Sequence, residues 1–251
     1  MKVDILASGS SGNCIALTAG NSTILVDCGI AKTKIEKRLM ECGIEPGNIL
    51  AIFVTHAHND HIKGLPIAEK YHIPVYAGEA EWKSIKNVPE ELRENVYDEE
   101  ILFDFEGYYD WFCVEPFKTH HDAYDPKGYA IYTENHKVSI CLDTGRVDED
   151  MLQAMKGSQV YIIESNHDPV MVEHSDYPNS VKARIVSQVG HLSNMQTAEA
   201  LARLVQGEGE KIYLTHLSSN NNMPSLALMT TVRQLMKKGF KQDKHYEIEV
   251  F

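Results

Sequence analysis

Basic charge is scarce in this chain. Its 251 residues hold 24 lysines and arginines against 36 aspartates and glutamates, a formal net charge of −12. A duplex-binding protein ordinarily carries a basic footprint. None is visible here, so an extended nucleic-acid substrate needs a local positive groove or metal ions to hold it. Cysteine is sparse too. Cys14, Cys28, Cys42, Cys113 and Cys141 are odd in number and form no CxxC pair, which argues against a disulfide framework or a structural zinc knot. No apolar stretch reaches membrane-spanning length. The opening MKVDILASGS has one lysine and no apolar run long enough for a signal peptide. The expectation is a cytosolic protein with no membrane partner. A linker rich in Pro, Gly or Ser is missing, as is any internal repeat, so residues 1–251 read as a single domain with a sizeable core.

What is present is a succession of short β-branched runs and amphipathic helical stretches. Strands are expected at Val3–Ala7, Cys14–Thr18, Thr23–Val26 and Leu50–Thr55, with a helix over Ile30–Cys42. A helix over Ile62–Tyr71 follows, then a strand at Val75–Tyr76. Glu79–Arg93 is charged and reads as helical in parts, interrupted by Pro89. Ile101–Phe105 and Trp111–Glu115 read as strands joined by Gly107-Tyr108-Tyr109, and Tyr129–Thr133 with Val138–Cys141 as a hairpin. Asp148–Met155 reads as a helix and Val160–Ile163 as a strand. Ser193 followed by Gln196 is a capping-box signature for a helix from Asn194 to Val205. Lys211–Leu214 and Tyr246–Val250 are strands, and Pro224–Lys238 is a helix. Two sheets with helices outside fit this layout.

The chemistry sits in Thr55-His56-Ala57-His58-Asn59-Asp60-His61, directly after a buried strand. Alternation places His56 and His58 on one side, and the turn that follows can bring Asp60 and His61 toward a second point. Imidazole and carboxylate donors without thiolate suit Zn, Mn or Fe. His121 follows an apolar strand, Asp143 ends another and His216 a third; strand ends are where a sheet scaffold presents a site. His120, beside His121, is the alternative register. Asp27 closes a buried strand, from where a carboxylate can fix a ligand imidazole.

The ordered set His56-x-His58-x-Asp60-His61, His121, Asp143 and His216 resembles the metallo-β-lactamase superfamily. That resemblance implies an αββα sandwich of two mixed sheets with outer helices, an α/β fold. It implies two divalent transition-metal ions. His56, His58 and His121 would hold one, Asp60, His61 and His216 the other, and Asp143 would bridge them. The absence of a cysteine ligand looks like the phosphodiesterase branch that includes RNase Z-type endonucleases. The stretches Leu6–Asn13, Glu164–Asp168, Gly190–Asn194 and His216–Asn222 are similar to the YycJ/WalJ group, described as exonuclease-like, over nearly the whole chain. Phage enzymes that destroy cyclic-nucleotide immune signals (anti-Pycsar) share this scaffold. The resemblance carries an expectation of a homodimer, in a bacterial cytoplasm or a host's if phage-encoded.

The expected activity is therefore a dinuclear metal-dependent phosphodiesterase acting on nucleotides or nucleic-acid ends. The alternatives are a 3′,5′-cyclic nucleotide phosphodiesterase of the phage type and a thioester or lactone hydrolase on the same fold. Asp60 is expected to bind metal and to orient the attacking water. His191, in a polar loop just before a helix N-terminus where free N–H groups favour phosphate, is the expected proton donor to the leaving oxygen. His167, Ser193 and Asn194 are expected to contact substrate or to support the ligands. Lys32, Lys34, Lys37 and Arg38 fall in a helix and read as a solvated face, as do Lys237 and Lys238. Productive contacts are then expected to be one or two nucleotides plus the metals, with a shallow salt dependence. Tyr108, Tyr109 and Trp111 are candidates for stacking on a base.

Overall fold

The computed structural model describes residues 1–103 and 112–251; Tyr108, Tyr109 and Trp111 lie outside the described residues. The described chain divides into two compact units, each with its own apolar core. Unit one comprises Met1–Pro116, Ala123–Lys127 and Tyr132–Asn135. Unit two comprises Phe117–Asp122, Gly128–Ile131 and His136–Phe251.

The first sheet runs β1 (Lys2–Ala7), β2 (Cys14–Ala19), β3 (Ser22–Val26), β4 (Ile49–Phe53), β5 (Val75–Gly78), β6 (Arg93–Val96), in that spatial order. β1 to β3 pair antiparallel and β3 to β6 parallel, so the sheet is mixed. Its parallel strands β3 and β4 are nearly all apolar and buried, as strands covered on both faces must be. Helix α1 (Lys32–Glu41) lays Ile35 and Leu39 against this sheet, and α3 (Pro66–Tyr71) adds Ile67 and Ala68.

The helix expected over Ile62–Tyr71 is two pieces, α2 (Asn59–Ile62) and α3. Pro66 opens α3 at a position where its missing N–H costs nothing. The Glu79–Arg93 stretch contains only two short 3-10 turns, Glu79–Lys83 and Glu90–Leu92. Strand β6, RENV, was not expected. It is polar and without alternation, and it is set by pairing with β5 rather than by its own composition.

The second sheet has the order β13-β12-β11-β10-β9-β8-β7. Its strands are β7 (Ile101–Phe103), β8 (Phe112–Lys118), β9 (Lys127–Thr133), β10 (His136–Cys141), β11 (Val160–Glu164), β12 (Glu210–Thr215) and β13 (Tyr246–Val250). β10 to β13 are parallel and β7 pairs antiparallel with β8, so this sheet is mixed as well. Helices α4 (Glu149–Met155), α7 (Asn194–Leu204) and α8 (Pro224–Lys237) pack Met151, Leu201 and Leu235 into its core. Two short helices, α5 (Pro169–His174) and α6 (Asn179–Ile185), escape the sequence reading because each spans under two turns and buries one apolar side chain. Among the described residues no helix is long and apolar enough to cross a membrane.

In both sheets the carboxyl ends of parallel strands carry polar residues. Asp27 follows β3 and His56 follows β4; Asp143 follows β10, Glu164 ends β11 and His216 follows β12. Ligands in open α/β sheets gather at such ends.

Candidate functional site

In unit one, β4 delivers Thr55 and His56 into a buried turn. The Asp27 carboxylate accepts from the Thr55 N–H at 2.8 Å and its hydroxyl at 2.9 Å, and lies 2.7 Å from His61 Nδ1. With its Nδ1–H donated to Asp27, His61 keeps the lone pair on Nε2, the tautomer a metal ligand needs. Nε2 is 3.7 Å from an Asp60 carboxylate oxygen and 3.2 Å from the Asn13 amide. His56 Nε2 and His58 Nδ1 lie 2.9 Å apart. Glu81, 1% exposed, accepts from the Ala57 N–H at 2.8 Å and so holds the strip between the two histidines by its backbone.

In unit two, His121 donates Nδ1–H to the Gly190 carbonyl at 3.0 Å, leaving Nε2 toward Asp143, 3.8 Å away. Burial pushes the His121 imidazole below its ordinary pKa despite Asp143, which favours the neutral, ligating form. His120 turns elsewhere: its Nε2 is 2.6 Å from Asp148 at the N-terminus of α4. His216 Nδ1 is 2.7 Å from Asp143 Oδ1. Asp143, Glu164, His191 and His216 each place a donor atom within 4.8 Å of the others.

Asp27, Asp143 and His216 share a backbone signature: their φ angles are 60°, 45° and 53°. Left-handed backbone is uncommon for residues other than glycine. Such strain persists where surrounding structure enforces it, and it concentrates at functional sites.

Glu164 is a candidate site residue to which the sequence assigns no role. It is fully buried, and its Oε1 accepts from the Thr144 N–H at 2.6 Å and the Leu192 N–H at 3.2 Å. Its Oε2 accepts from His191 Nδ1 at 3.0 Å and lies 3.4 Å from His216 Nδ1. Burial alone would raise the Glu164 pKa, but the charge and hydrogen bond of His191 outweigh it and hold the carboxyl below its ordinary value. Burial alone would likewise lower His191, but Glu164 and then Asp143 outweigh it and raise the imidazole. The signal was present: an acidic residue ends an apolar strand run, as Asp143 does.

The polar stretches around this pair interlock. Ser193 caps α7 in a full capping box with Gln196. Asn194 and Asn222 exchange amide hydrogen bonds at 2.9 Å, Asn194 also accepts from the Ser165 hydroxyl, and Asn166 donates to the His216 carbonyl. Ser193 and Asn194 thus brace the loop that carries His191. His167 is 2% exposed, its carbonyl accepts from the Asn194 N–H, and its Nδ1 has no hydrogen-bond partner among the described residues. Burial pulls its pKa down to about 4.

The comparisons with known proteins agree in kind with this donor chemistry. Residues 7–216 match the family model "Metallo-beta-lactamase superfamily". The chain is 38% identical to "Exodeoxyribonuclease YycJ" of Bacillus anthracis, over 97% of this chain and 92% of that one. It is 37% identical to "Exodeoxyribonuclease WalJ" of Streptococcus pneumoniae, over 93% and 88%. Among solved structures, the metallo-beta-lactamase fold protein YhfI from Bacillus subtilis superposes with a TM-score of 0.66 at 16% identity. That match covers 99% of this chain and 95% of that one, and it carries the fold alone. The αββα architecture, the histidine and carboxylate donors and the family match lead to one conclusion: the chain belongs to the metallo-beta-lactamase superfamily and is a metal-dependent hydrolase.

Proposed function

We propose that the protein is a two-metal nuclease that hydrolyses phosphodiester bonds at DNA ends. The observation that carries this reading is the Glu164–His191 pair, 3.0 Å apart, with His191 Nδ1 3.6 Å from Asp143; the two carboxylates raise the imidazole's pKa and so favour the protonated form a proton donor needs. The names borne by the relatives, both exodeoxyribonucleases, favour nucleic-acid ends over small cyclic nucleotides and over thioesters or lactones.

His56, His58 and His121 would hold one ion, Asp60, His61 and His216 the second, with Asp143 shared between them. The donors fit: they are imidazoles and carboxylates, and the His61 and His121 tautomers are already fixed by Asp27 and by the Gly190 carbonyl. Two such ions, when bound, would supply an activated water and neutralise phosphate oxygens.

The protein's own groups do the rest. The attacking water, having released one proton to solvent, adds its oxygen to phosphorus while the P–O bond to the departing sugar breaks, and the departing oxygen must gain a proton. His191 Nε2–H would donate it, and Glu164 holds the ring by Nδ1 and favours its charged form. Asp27 and Glu81 keep the histidine strip rigid from behind. The protein is expected to copurify as a dimer.

The test is a parallel hydrolysis assay of 5′-phosphorylated single-stranded DNA, the equivalent RNA and 3′,5′-cyclic mononucleotides, with Mn or Zn added and metal content measured. DNA degraded from an end, with about two ions per chain, is the expected result. Turnover of cyclic nucleotides with none of DNA would overturn it.

A further inference from the structure

The basic residues Lys34, Lys37 and Arg38 of α1 are exposed, as a solvated helix face would be, and they also line a groove. Lys34, Lys37 and Arg38 stand at i, i+3 and i+4, which places them on one side of the helix. That side forms one wall of a groove of about 480 Å³ whose other wall is the loop carrying Ser8, Ser11 and Gly12. Its charged lining is three cations against one carboxylate, Glu41, in a chain whose net charge is −12. Arg38 and Lys37 approach Glu41 at 3.3 and 3.8 Å, exposed pairs of the kind that contribute little. Lys34 has no ion-pair partner among the described residues.

The loop is a shared wall. Ser11 and Gly12 line the groove, and the next residue, Asn13, donates its N–H to the Asp60 carbonyl at 2.8 Å and lies 3.2 Å from His61 Nε2. The packing leaves no slack. A Cβ on Gly12 would sit 2.6 Å from the Gly29 carbonyl oxygen, and one on Gly29 would sit 1.6 Å from the Asp60 carbonyl oxygen. A polyanion lying in the groove therefore lies one residue away from the segment that carries Asp60 and His61.

We propose that this groove binds the sugar-phosphate backbone of the DNA strand next to the bond being cut, with Lys34, Lys37 and Arg38 contacting phosphates and Ser8 and Ser11 supplying hydroxyl donors. The inference rests on the nuclease reading above. It supplies the local positive surface that an acidic protein needs to hold a polyanion, and it predicts a steeper salt dependence than contacts to one or two nucleotides and the metals would give. Phosphate contacts position a strand without reading its sequence, so the groove predicts a nuclease indifferent to base identity.

The experiment compares wild type with K34A/K37A/R38A on a 5′-phosphorylated single-stranded oligodeoxynucleotide across a salt series. Bis(p-nitrophenyl) phosphate, which has no strand to fill the groove, is the second substrate. On the oligonucleotide, kcat/KM of the variant should fall about tenfold or more, through KM, and the slope of log kcat/KM against log salt should shrink by about 2. Turnover of bis(p-nitrophenyl) phosphate should be unchanged, and K34R/K37R/R38K should restore the wild-type values. Unchanged kcat/KM and slope on the oligonucleotide, or an equal loss on both substrates, would overturn the groove while leaving the nuclease reading intact. Wild type inert on every oligonucleotide would overturn both.

Discussion

In the proposed mechanism Glu164 and His191 divide one task. His191 is 13% exposed at its side chain and can reach a substrate, whereas Glu164 is sealed behind it. H191A should lower kcat by about 10²–10⁴, the range for lost general acid catalysis, with metal content unchanged. E164Q keeps the shape and removes the charge. As the proposed proton donor His191 must act protonated, so the rate is expected to fall as pH rises through its raised pKa. Removing the largest raising influence moves that alkaline limb to lower pH. A kcat–pH profile of E164Q superimposable on wild type would show that Glu164 only packs. Neither residue's spacing in the sequence reveals the pair, since 27 positions separate them; hydrogen bonding makes them one device.

At the scale of elements, the ligand segment depends on backbone approach as much as on side chains. Gly29 lies against the Asp60 carbonyl, and its N–H donates to the Asn13 carbonyl at 2.6 Å. The colliding group in G29A is main chain and cannot rotate away. G29A should displace the α2 turn bearing Asp60 and His61, and reduce bound metal below the wild-type content. Metal analysis together with circular dichroism checks this: full metal occupancy in a folded G29A protein would show that the turn tolerates the shift. The sequence reading recognised HxHxDH as a unit but drew a single helix after it. The break before Pro66 is a local signal, since proline disfavours helix at the residue ahead of it; the anchoring of the turn by Asp27 and Cys28, which follow β3, comes from packing between distant segments.

For the whole molecule, buried histidine makes folding pH-dependent. His167 titrates near 4 in the folded protein against an ordinary 6.5. Between those values the unfolded chain takes up a proton that the folded one refuses, so stability falls as pH drops from 6.5 toward 4. The full shift corresponds to about 3 kcal/mol. Urea unfolding at pH 7.5 and pH 5 should show about 2 kcal/mol of this loss in wild type and a smaller one in H167Q. Equal losses in both would assign the acid sensitivity elsewhere.

The sequence by itself determined the donor chemistry and the fold class. HxHxDH is contiguous, and strands announce themselves by β-branched runs ending in polar residues such as Asp27, Asp143 and His216. Period and composition are local properties, so they survive without coordinates. The tertiary structure alone decided which groups meet. It put His121 beside Asp143 and sent His120 to Asp148. It joined Glu164 to His191, gave Ser193 and Asn194 bracing roles, and set the α1 cations across from the Ser8–Gly12 loop. Those outcomes depend on side-chain direction and on contacts between distant segments, which are fixed when the chain closes on itself and not before.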